Sequence, residues 1–418
     1  MANSYLTHTT STPTNDKIMT FSMWLKKQTE QVPIMSRHID SSNRFQLYNL
    51  DSSSKVQLYQ QVGGSVEMNL SHPIVLRDFS GWYHFVIAID TTQATASDRV
   101  KIYINGELLS NYDTATYPAQ NADILFNGSS AVQEIGRCNG SDYYLGYIAH
   151  FAFVDGTALT PTSFGLANTT TGQWQFKPPS GVTWGTNGFH LKFENSGALG
   201  TDSSGNSNTF AVNGNLKQAL DTPSNVYCTL NPLAVGSSAP TFSKGNNRVT
   251  GTTNAYQFSC GTLEVPLNGK WYWEVKANNN VNGSSSEYLI GAVLESRLQA
   301  SSDFAEFAAD GITQYGSVGT GIGQNDIISV AVDRTAATLK IYKNNSLLFT
   351  KSSLPAEIIF PMVTVFGSCT GADSNFGNGY FGGTAISSAG SNGNGSLFEY
   401  DVPSGHYALN TSNINTYG

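Results

Sequence analysis

Val100-Lys-Ile-Tyr-Ile-Asn-Gly-Glu-Leu-Leu109 constrains this chain more than any other stretch. Val100, Ile102 and Ile104 alternate with Lys101 and Tyr103, which makes one side of an extended strand apolar. Asn105-Gly106 follows, and these two residue types tolerate the positive φ that a type I′ turn needs at both central positions. The segment reads as a β-hairpin, and its pattern recurs. Met19, Phe21 and Met23 share one face of a strand over Met19–Lys26. Arg44–Leu50 and Lys55–Tyr59 bracket Asp51-Ser-Ser-Ser54 as a second hairpin. Gly81–Asp90 is dense in β-branched and aromatic residues, as suits a central strand buried on both faces. Tyr144–Val154 is a further long strand, closed by Asp155-Gly156.

The second half repeats this style with different residues. Lys270–Lys276 places Trp271, Trp273 and Val275 on one face and Tyr272, Glu274 and Lys276 on the other. Strands follow over Tyr288–Leu294, Asp326–Asp333, Thr338–Lys343 and Ile358–Val365, and Thr338–Lys343 with Ser346–Thr350 brackets a turn at Asn344-Asn345. Gly367–Ser396 is poor in apolar residues apart from Phe376, Tyr380 and Phe381, and is expected to be a long exposed or partly disordered loop. Lys177–Gly181 is a boundary rich in Pro and Gly, and Thr229–Pro240 reads as a linker. No convincing amphipathic helix is present. The fold class is therefore all-β: two tandem antiparallel β-sandwiches of jelly-roll type. The first covers residues 1–180 and the second 241–418. Residues 181–240 form a partly β connector that is also a candidate for completing the first sandwich.

Composition narrows the partners. Only 12% of the 418 residues are charged, against about 25% in an average domain. Disorder does not explain this, because 39% are hydrophobic and 11% aromatic. The net charge is −8, without a basic stripe, so neither nucleic acid nor an anionic membrane is an expected partner. No apolar run approaches the roughly 18–20 residues of a membrane span. Met1–Thr14 is polar and lacks the basic-then-apolar pattern of a signal peptide. Cys138, Cys228, Cys260 and Cys369 lie far apart without CxxC spacing, which disfavours both zinc and a disulfide framework. They read as small apolar side chains made in a reducing cytoplasm.

The order Phe21-Ser-Met-Trp-Leu-Lys26, Trp82-Tyr-His-Phe85, Ile102-Tyr-Ile-Asn-Gly106, Gly146-Tyr-Ile-Ala-His-Phe151 and Asp155-Gly-Thr-Ala-Leu-Thr-Pro161 resembles the laminin-G-like, concanavalin A-like lectin/glucanase jelly roll. Gly269-Lys-Trp-Tyr-Trp-Glu-Val275, Ile290-Gly-Ala-Val293, Gly323–Asp333 and Ile341-Tyr-Lys-Asn-Asn345 resemble a SPRY-type sandwich, with Asn344-Asn345 in place of the usual Asn-Gly tip. Gly188–Phe193, Asp202–Asn208, Asp221–Asn225 and Thr229–Pro232 resemble a connector common in marine bacteriophage proteins, and Val402–Asn413 fits that group. The resemblance implies a non-enzymatic virion structural protein, exposed on a fibre, tail or capsid. It would reach the virion surface after synthesis in the host cytoplasm. The implied partners are other virion proteins and host cell-surface glycans, with a homo-oligomer open. A carbohydrate-binding or carbohydrate-degrading module of a marine bacterium is the alternative. A purely structural protein that binds only other virion proteins is another.

Glycoside hydrolysis needs two carboxylates flanking the bond. The nearest match to Glu-x-Asp-x-x-Glu is Glu399-Tyr-Asp-Val-Pro-Ser404, which lacks the second Glu and carries Pro403. No catalytic residue is therefore assigned. Sugar binding calls for an exposed aromatic face beside side chains that fix hydroxyls. Asn139, Asp142 and Tyr143 offer this in the loop Cys138–Tyr144, and Phe376 and Tyr380 offer it in Asn375–Phe381. Packing of these rings under their own loops, or against a neighbouring subunit, is the alternative. For a metal, Asp202 and Asn206 supply oxygens around Gly205 for calcium. The same residues equally make an Asx-type turn. Trp24, Trp82, Trp271 and Trp273 lie in strands and read as core. The seven histidines are scattered, and nothing in the sequence pairs them as metal ligands.

Overall fold

A computed structural model describes residues 4–28, 32–50, 55–138, 140–236, 238–253, 255–278, 286–298, 322–367 and 371–418. The chain divides into two units, Met1–Gln218 and Ala219–Gly418. Almost all regular structure is antiparallel strand. Helix is confined to single 3-10 turns, Glu295–Leu298 and Thr411–Tyr417 among the described residues. None of these is long and apolar enough to cross a membrane.

In the first unit a six-stranded sheet runs in the order Phe189–Leu191, Gly146–Asp155, Ile18–Lys27, Tyr83–Asp90, Val100–Ile104 and Glu107–Leu108. An eight-stranded sheet faces it, ordered Thr114–Thr116, Ser65–His72, Lys55–Val62, Asn43–Leu50, Val32–Asp40, Val132–Ile135, Tyr5–Thr9 and Ala211–Asn213. Period-2 alternation fills the space between them: Met19, Phe21, Phe85, Ile87, Ile102 and Phe153 from one sheet meet Met35, Phe45, Leu58 and Leu70 from the other. Phe21 lies centrally, 5.9 Å from Phe45 and 5.0 Å from Phe153 between ring centres. The hairpin after Val100 forms as its residues dictate, with φ of 50° at Asn105 and 86° at Gly106. Asn43–Leu50 pairs with Lys55–Val62 as expected, although residues 51–54 lie outside the described residues.

The outer face of the six-stranded sheet is also buried. Thr20, Ser22, Trp24, His84, Val86 and Val154 point away from the core yet are almost inaccessible. Residues 157–190 roof them: Phe164 packs on Val86, Ala152 and Val154, and Thr20 Oγ1 donates to Thr157 O at 2.8 Å. The roof carries a ribbon of Gly165–Ala167 paired with Trp174–Phe176. Trp174 Nε1–H donates to His84 Nδ1 at 2.9 Å. An indole nitrogen only donates, so His84 Nδ1 is the acceptor and its proton sits on Nε2, which donates to Ser22 Oγ at 2.8 Å. Trp24 stacks on His84, 4.6 Å away at 11°. The Trp174 ring needs two glycines beneath it. A Cβ would lie 2.7 Å from the ring at Gly106 and 2.5 Å at Gly165.

The chain beyond residue 181 completes both sheets of this unit. Phe189–Leu191 extends the six-stranded sheet beside Gly146–Asp155, and Ala211–Asn213 extends the eight-stranded one beside Tyr5–Thr9. Asp155 ties these ends together. Its buried carboxylate accepts from Thr14 N, Asn15 N, Asn127 Nδ2 and Asn187 N, all within 3.0 Å. Four donors satisfy a carboxylate that would be costly to bury alone.

The second unit packs a four-stranded sheet, Leu230–Val235, Tyr256–Gly261, Ile359–Gly367 and Ser286–Leu294, against a larger one. The larger sheet runs Thr241–Ser243, Arg248–Thr250, Ala372–Asn375, Lys270–Ala277, Ile327–Asp333, Thr338–Lys343 and Ser346–Ser352, with Tyr407–Ala408 parallel to Lys270–Ala277. Trp271, Trp273 and Val275 enter the core together with Tyr288, Ile290 and Val363. Asn344 and Asn345 both take positive φ, 47° and 66°, so the turn forms without glycine.

Two expectations change here. Thr229–Pro240, read as a linker, contains Leu230–Val235, a strand paired with Tyr256–Gly261. Gly367–Ser396, read as exposed, contains Ala372–Asn375, a buried strand between Arg248–Thr250 and Lys270–Ala277. Polar side chains disguised it. Asp373 is buried by a paired bond to the Arg248 guanidinium at 2.5 Å. Asn375 Nδ2 donates to Leu397 O at 3.0 Å.

The far side of Lys270–Ala277 is covered as well. Tyr272 and Ala331 pack with Tyr227, Phe398, Val402 and Ala408. At the centre of this layer Glu274 accepts from Tyr272 Oη at 3.0 Å, Glu399 N at 2.9 Å and Tyr400 N at 3.0 Å. Burial pushes its carboxyl up to about 7, against these donors, which favour the carboxylate.

Two outcomes follow. Glu274→Ala removes the acceptor of two amides, at about 2–4 kcal/mol. Hydrogen exchange at Glu399 and Tyr400 is expected to accelerate while amides of the first unit stay protected. In the first unit, burial holds His84 down to about 3 from the ordinary 6.5. The fold thus prefers the neutral ring. Its contribution is complete above pH ~6.5 and is lost as pH falls from there towards ~3, because the unfolded chain takes the proton first. Denaturation midpoints of the first unit are expected to fall through that window. In His84→Gln the fall is expected to be shallower by up to about 1.4 kcal/mol per pH unit.

Candidate functional site

Among the described residues, the outer face of the eight-stranded sheet has no roof like that of its partner. Its register sets two adjacent rows across the strands. Leu6, Ile135, Met35, Leu47, Leu58 and Leu70 face inward as successive cross-strand partners. One residue along, Thr7, Glu134, Ser36, Gln46, Tyr59, Asn69 and Thr116 face outward in the same way. Six strand spacings make this polar row roughly 29 Å long. Its middle is a floor: Ser36, Gln46 and Glu134 are buried although they point away from the core.

At one end of the row, aromatic rings rise beside the floor. The short ribbon Arg137–Cys138 paired with Asp142–Tyr143 lies over this edge, aimed by Gly136, whose φ is 79°. The Arg137 guanidinium stacks on the Tyr5 ring at 3.6 Å and pairs with the Glu134 carboxylate. That pairing is the main reason its pKa is raised. Tyr143 stands 6.0 Å from Tyr5, tilted by 54°. Tyr48 Oη donates to Asp142 Oδ2 at 3.3 Å, and burial, then Cys138 and Asp142, push the phenol upward. Ser36 Oγ donates to Arg137 O at 2.9 Å, fixing the ribbon to the floor. Further along, Arg44 lies over Tyr59 at 5.3 Å, and Gln57 Nε2 donates to Asn69 Oδ1 at 2.8 Å.

The site thus offers three half-exposed phenol rings, a guanidinium, the exposed Asp142 carboxylate and a row of amide and hydroxyl groups. Such a surface can stack on a flat, partly apolar ligand and hydrogen-bond several hydroxyl groups at once. Glu134 is occupied by Arg137 and Ser36. In the second unit, Glu399 bonds Ser387 and Asp401 bonds Ser391, each outside the strands.

Asp142 and Tyr143, expected from the sequence, come together here, and Asn139 lies outside the described residues. Phe376 is a correction. It is completely buried among Val249, Trp273 and Ala372 of the second core, so its ring cannot meet a ligand. Tyr380 remains half-buried on a two-residue ribbon with Thr384–Ala385 and has lost that aromatic companion. The calcium reading of Asp202 and Asn206 is corrected too. The Asp202 carboxylate already accepts His190 N, Ser204 N, Ser204 Oγ and Asn208 N, all within 2.9 Å. Asn206 presents its Nδ2, not its oxygen, to Gly185 O and Gly188 O. These are the bonds of an Asx-type turn. Among the described residues no group of three or more His, Cys, Asp or Glu side chains is placed to hold a metal ion. Cys138, Cys228 and Cys260 are buried, and Cys369 lies outside the described residues. Tyr5, Tyr48 and Arg137 were not singled out in the sequence. The signal for Tyr48 was its outward place in the alternation of Arg44–Leu50.

Adding millimolar calcium is therefore expected to leave the melting temperature unchanged. Asp202→Ala, which strands several donors, is expected to lower it by several degrees in differential scanning calorimetry.

Residues 1–163 match the family described as Concanavalin A-like lectin/glucanases superfamily. No curated protein matches the chain. Among solved structures, it is similar to a SAP-like pentraxin from Limulus polyphemus at 16% identity, covering 51% of this chain and 89% of that one, with a TM-score of 0.33. It is also similar to the SPRY domain of human HERC1 at 14% identity, covering 35% and 94%, with a TM-score of 0.25. Domain 4 of AbnA, an extracellular arabinanase from Geobacillus stearothermophilus solved with arabinotriose, is similar at 18% identity, covering 35% and 64%, with a TM-score of 0.26. Over residues 1–163 the chain is thus similar to the concanavalin A-like lectins and glucanases, and its first unit shares their β-sandwich fold.

Proposed function

We propose that this chain is a non-enzymatic, glycan-binding protein displayed on the surface of a bacteriophage particle. The observation that carries the glycan reading is the edge where Tyr5, Tyr48 and Tyr143 stand around Arg137 and Asp142, above the buried polar floor of Ser36, Gln46 and Glu134. The lectin-type fold of the first unit supports it. The particle reading rests on the resemblance of Gly188–Phe193, Asp202–Asn208 and Thr229–Pro232 to the connector of marine phage proteins. In this reading Tyr143 and Tyr5 stack on sugar rings, and Asp142 and the row through Gln46 and Asn69 fix hydroxyls. Host glycans and neighbouring virion proteins are the partners.

The test has two arms. On a glycan array the full chain is expected to bind a restricted set of oligosaccharides. Tyr143→Ala and Asp142→Ala should each weaken that binding by at least tenfold, about 1.4 kcal/mol, without loss of folding. A blank array with unaltered folding would remove the glycan reading. Purified particles of the source phage should contain the chain by mass spectrometry, and its absence would remove the particle reading.

A further inference from the structure

Two histidines far apart in the sequence meet on the roofed face of the six-stranded sheet. Gly146–Asp155 carries a bulge between Ala149 and Ala152, where His150 and Phe151 together oppose the single residue Met23 of Ile18–Lys27. An inserted residue re-aims a side chain. Here the strand backbone turns left-handed at His150, with φ of 48°. The His150 ring then stands on the outer face, flat against Phe176 at 3.8 Å and 16°. His190 comes from the neighbouring strand, where it pairs opposite Ala152. Its ring is stacked on Trp184 at 5.7 Å and 17°. The two imidazole centres are 5.8 Å apart.

Each ring keeps one buried nitrogen without a hydrogen-bond partner, Nδ1 of His150 and Nε2 of His190. His84, on the same face, uses both of its nitrogens. A buried, unpaired imidazole nitrogen is unfavourable unless something else takes its lone pair. Two imidazoles sharing one ion at about 2.0–2.1 Å per nitrogen hold their centres roughly 5–6 Å apart.

We propose that His150 and His190 form a binding site for a first-row transition-metal dication of the zinc or copper(II) class, with water completing the coordination. Imidazole is a preferred ligand for both ions. Burial lowers both rings to about 4, so each is neutral and able to donate a lone pair at neutral pH. Three charged groups modulate the site. Lys192 opposes a cation but is paired with Glu194 at 3.5 Å, and the Asp202 carboxylate favours one. The aromatic backing of Phe176 and Trp184 holds the imidazoles in place before the ion arrives. The ion would therefore bridge Gly146–Asp155 to its edge neighbour Phe189–Leu191.

The chelator-treated full chain is titrated with zinc chloride and copper(II) chloride by calorimetry. Saturable binding of one ion per chain is expected, at least tenfold weaker in His150→Asn and in His190→Gln. Asn tolerates the left-handed backbone at position 150, which protects the fold of that variant. His72→Gln, at a histidine whose Nε2 contacts Ser110 O, is expected to bind like the native chain. Electron paramagnetic resonance of the copper-loaded native chain should show two nitrogen ligands, a readout that stands if either variant misfolds. Absence of saturable binding, equal affinity in all three variants, or a copper spectrum without two nitrogens would overturn the site.

Discussion

In each unit, a sheet is buried on both of its faces. A sandwich normally needs only its inner faces to be apolar, and alternation then leaves the outer faces polar and wet. Here Tyr83–Asp90 and Lys270–Ala277 have lost the wet side. Polar side chains that point outward must therefore find partners inside a roof. His84 finds Trp174 and Ser22, and Glu274 finds two backbone amides and a phenol. The roofs make these contacts compulsory, because an unmatched buried polar group costs more than a matched one gains. In the first unit the roof comes from residues that follow most of the strands it covers, and in the second it comes from both sides in sequence, from Tyr227 as well as Phe398, Val402 and Ala408.

This explains what the sequence reveals and what it hides. Alternation identifies strands such as Ile18–Lys27, Lys55–Val62 and Val100–Ile104, and those from Lys270 to Gly367, since their inner faces must be apolar; Val32–Asp40, Ser65–His72 and Val132–Ile135 are not legible in this way. It also finds both short turns, because positive φ at Asn105-Gly106 and Asn344-Asn345 has a residue signature. Ala372-Asp-Ser-Asn375 escapes for the opposite reason. Its burial depends on Arg248 and on the segment at Leu397, and distant partners leave no local pattern. Leu230–Val235 escapes because Asn231 and Pro232 imitate a linker while its pairing is irregular.

The candidate face is half legible. Asp142 and Tyr143 sit in a turn whose composition suggests ligand chemistry. Tyr5, Tyr48 and Arg137 join them only through the register of non-consecutive strands, information that no window along the chain contains. The same limit hid the meeting of His150 and His190, which depends on one bulge and on an edge strand. Phe376 shows the converse error. An aromatic residue flanked by Gly and Asn looks exposed, but its neighbours lie in the second core. The roof on the six-stranded sheet also directs attention to the other side of the first unit, where a polar row is set above an apolar one.

Tyr5–Thr9 lies between Val132–Ile135 and Ala211–Asn213. During synthesis the chain leaves the ribosome from its amino end, so this early strand waits longest for its outer neighbour. The eight-stranded sheet cannot be closed, nor Asp155 matched with Asn187, until the segment up to residue 213 has emerged. The first unit therefore completes its assembly only when its own last strand has emerged, with Tyr5–Thr9 held open until then as a docking edge for Ala211–Asn213.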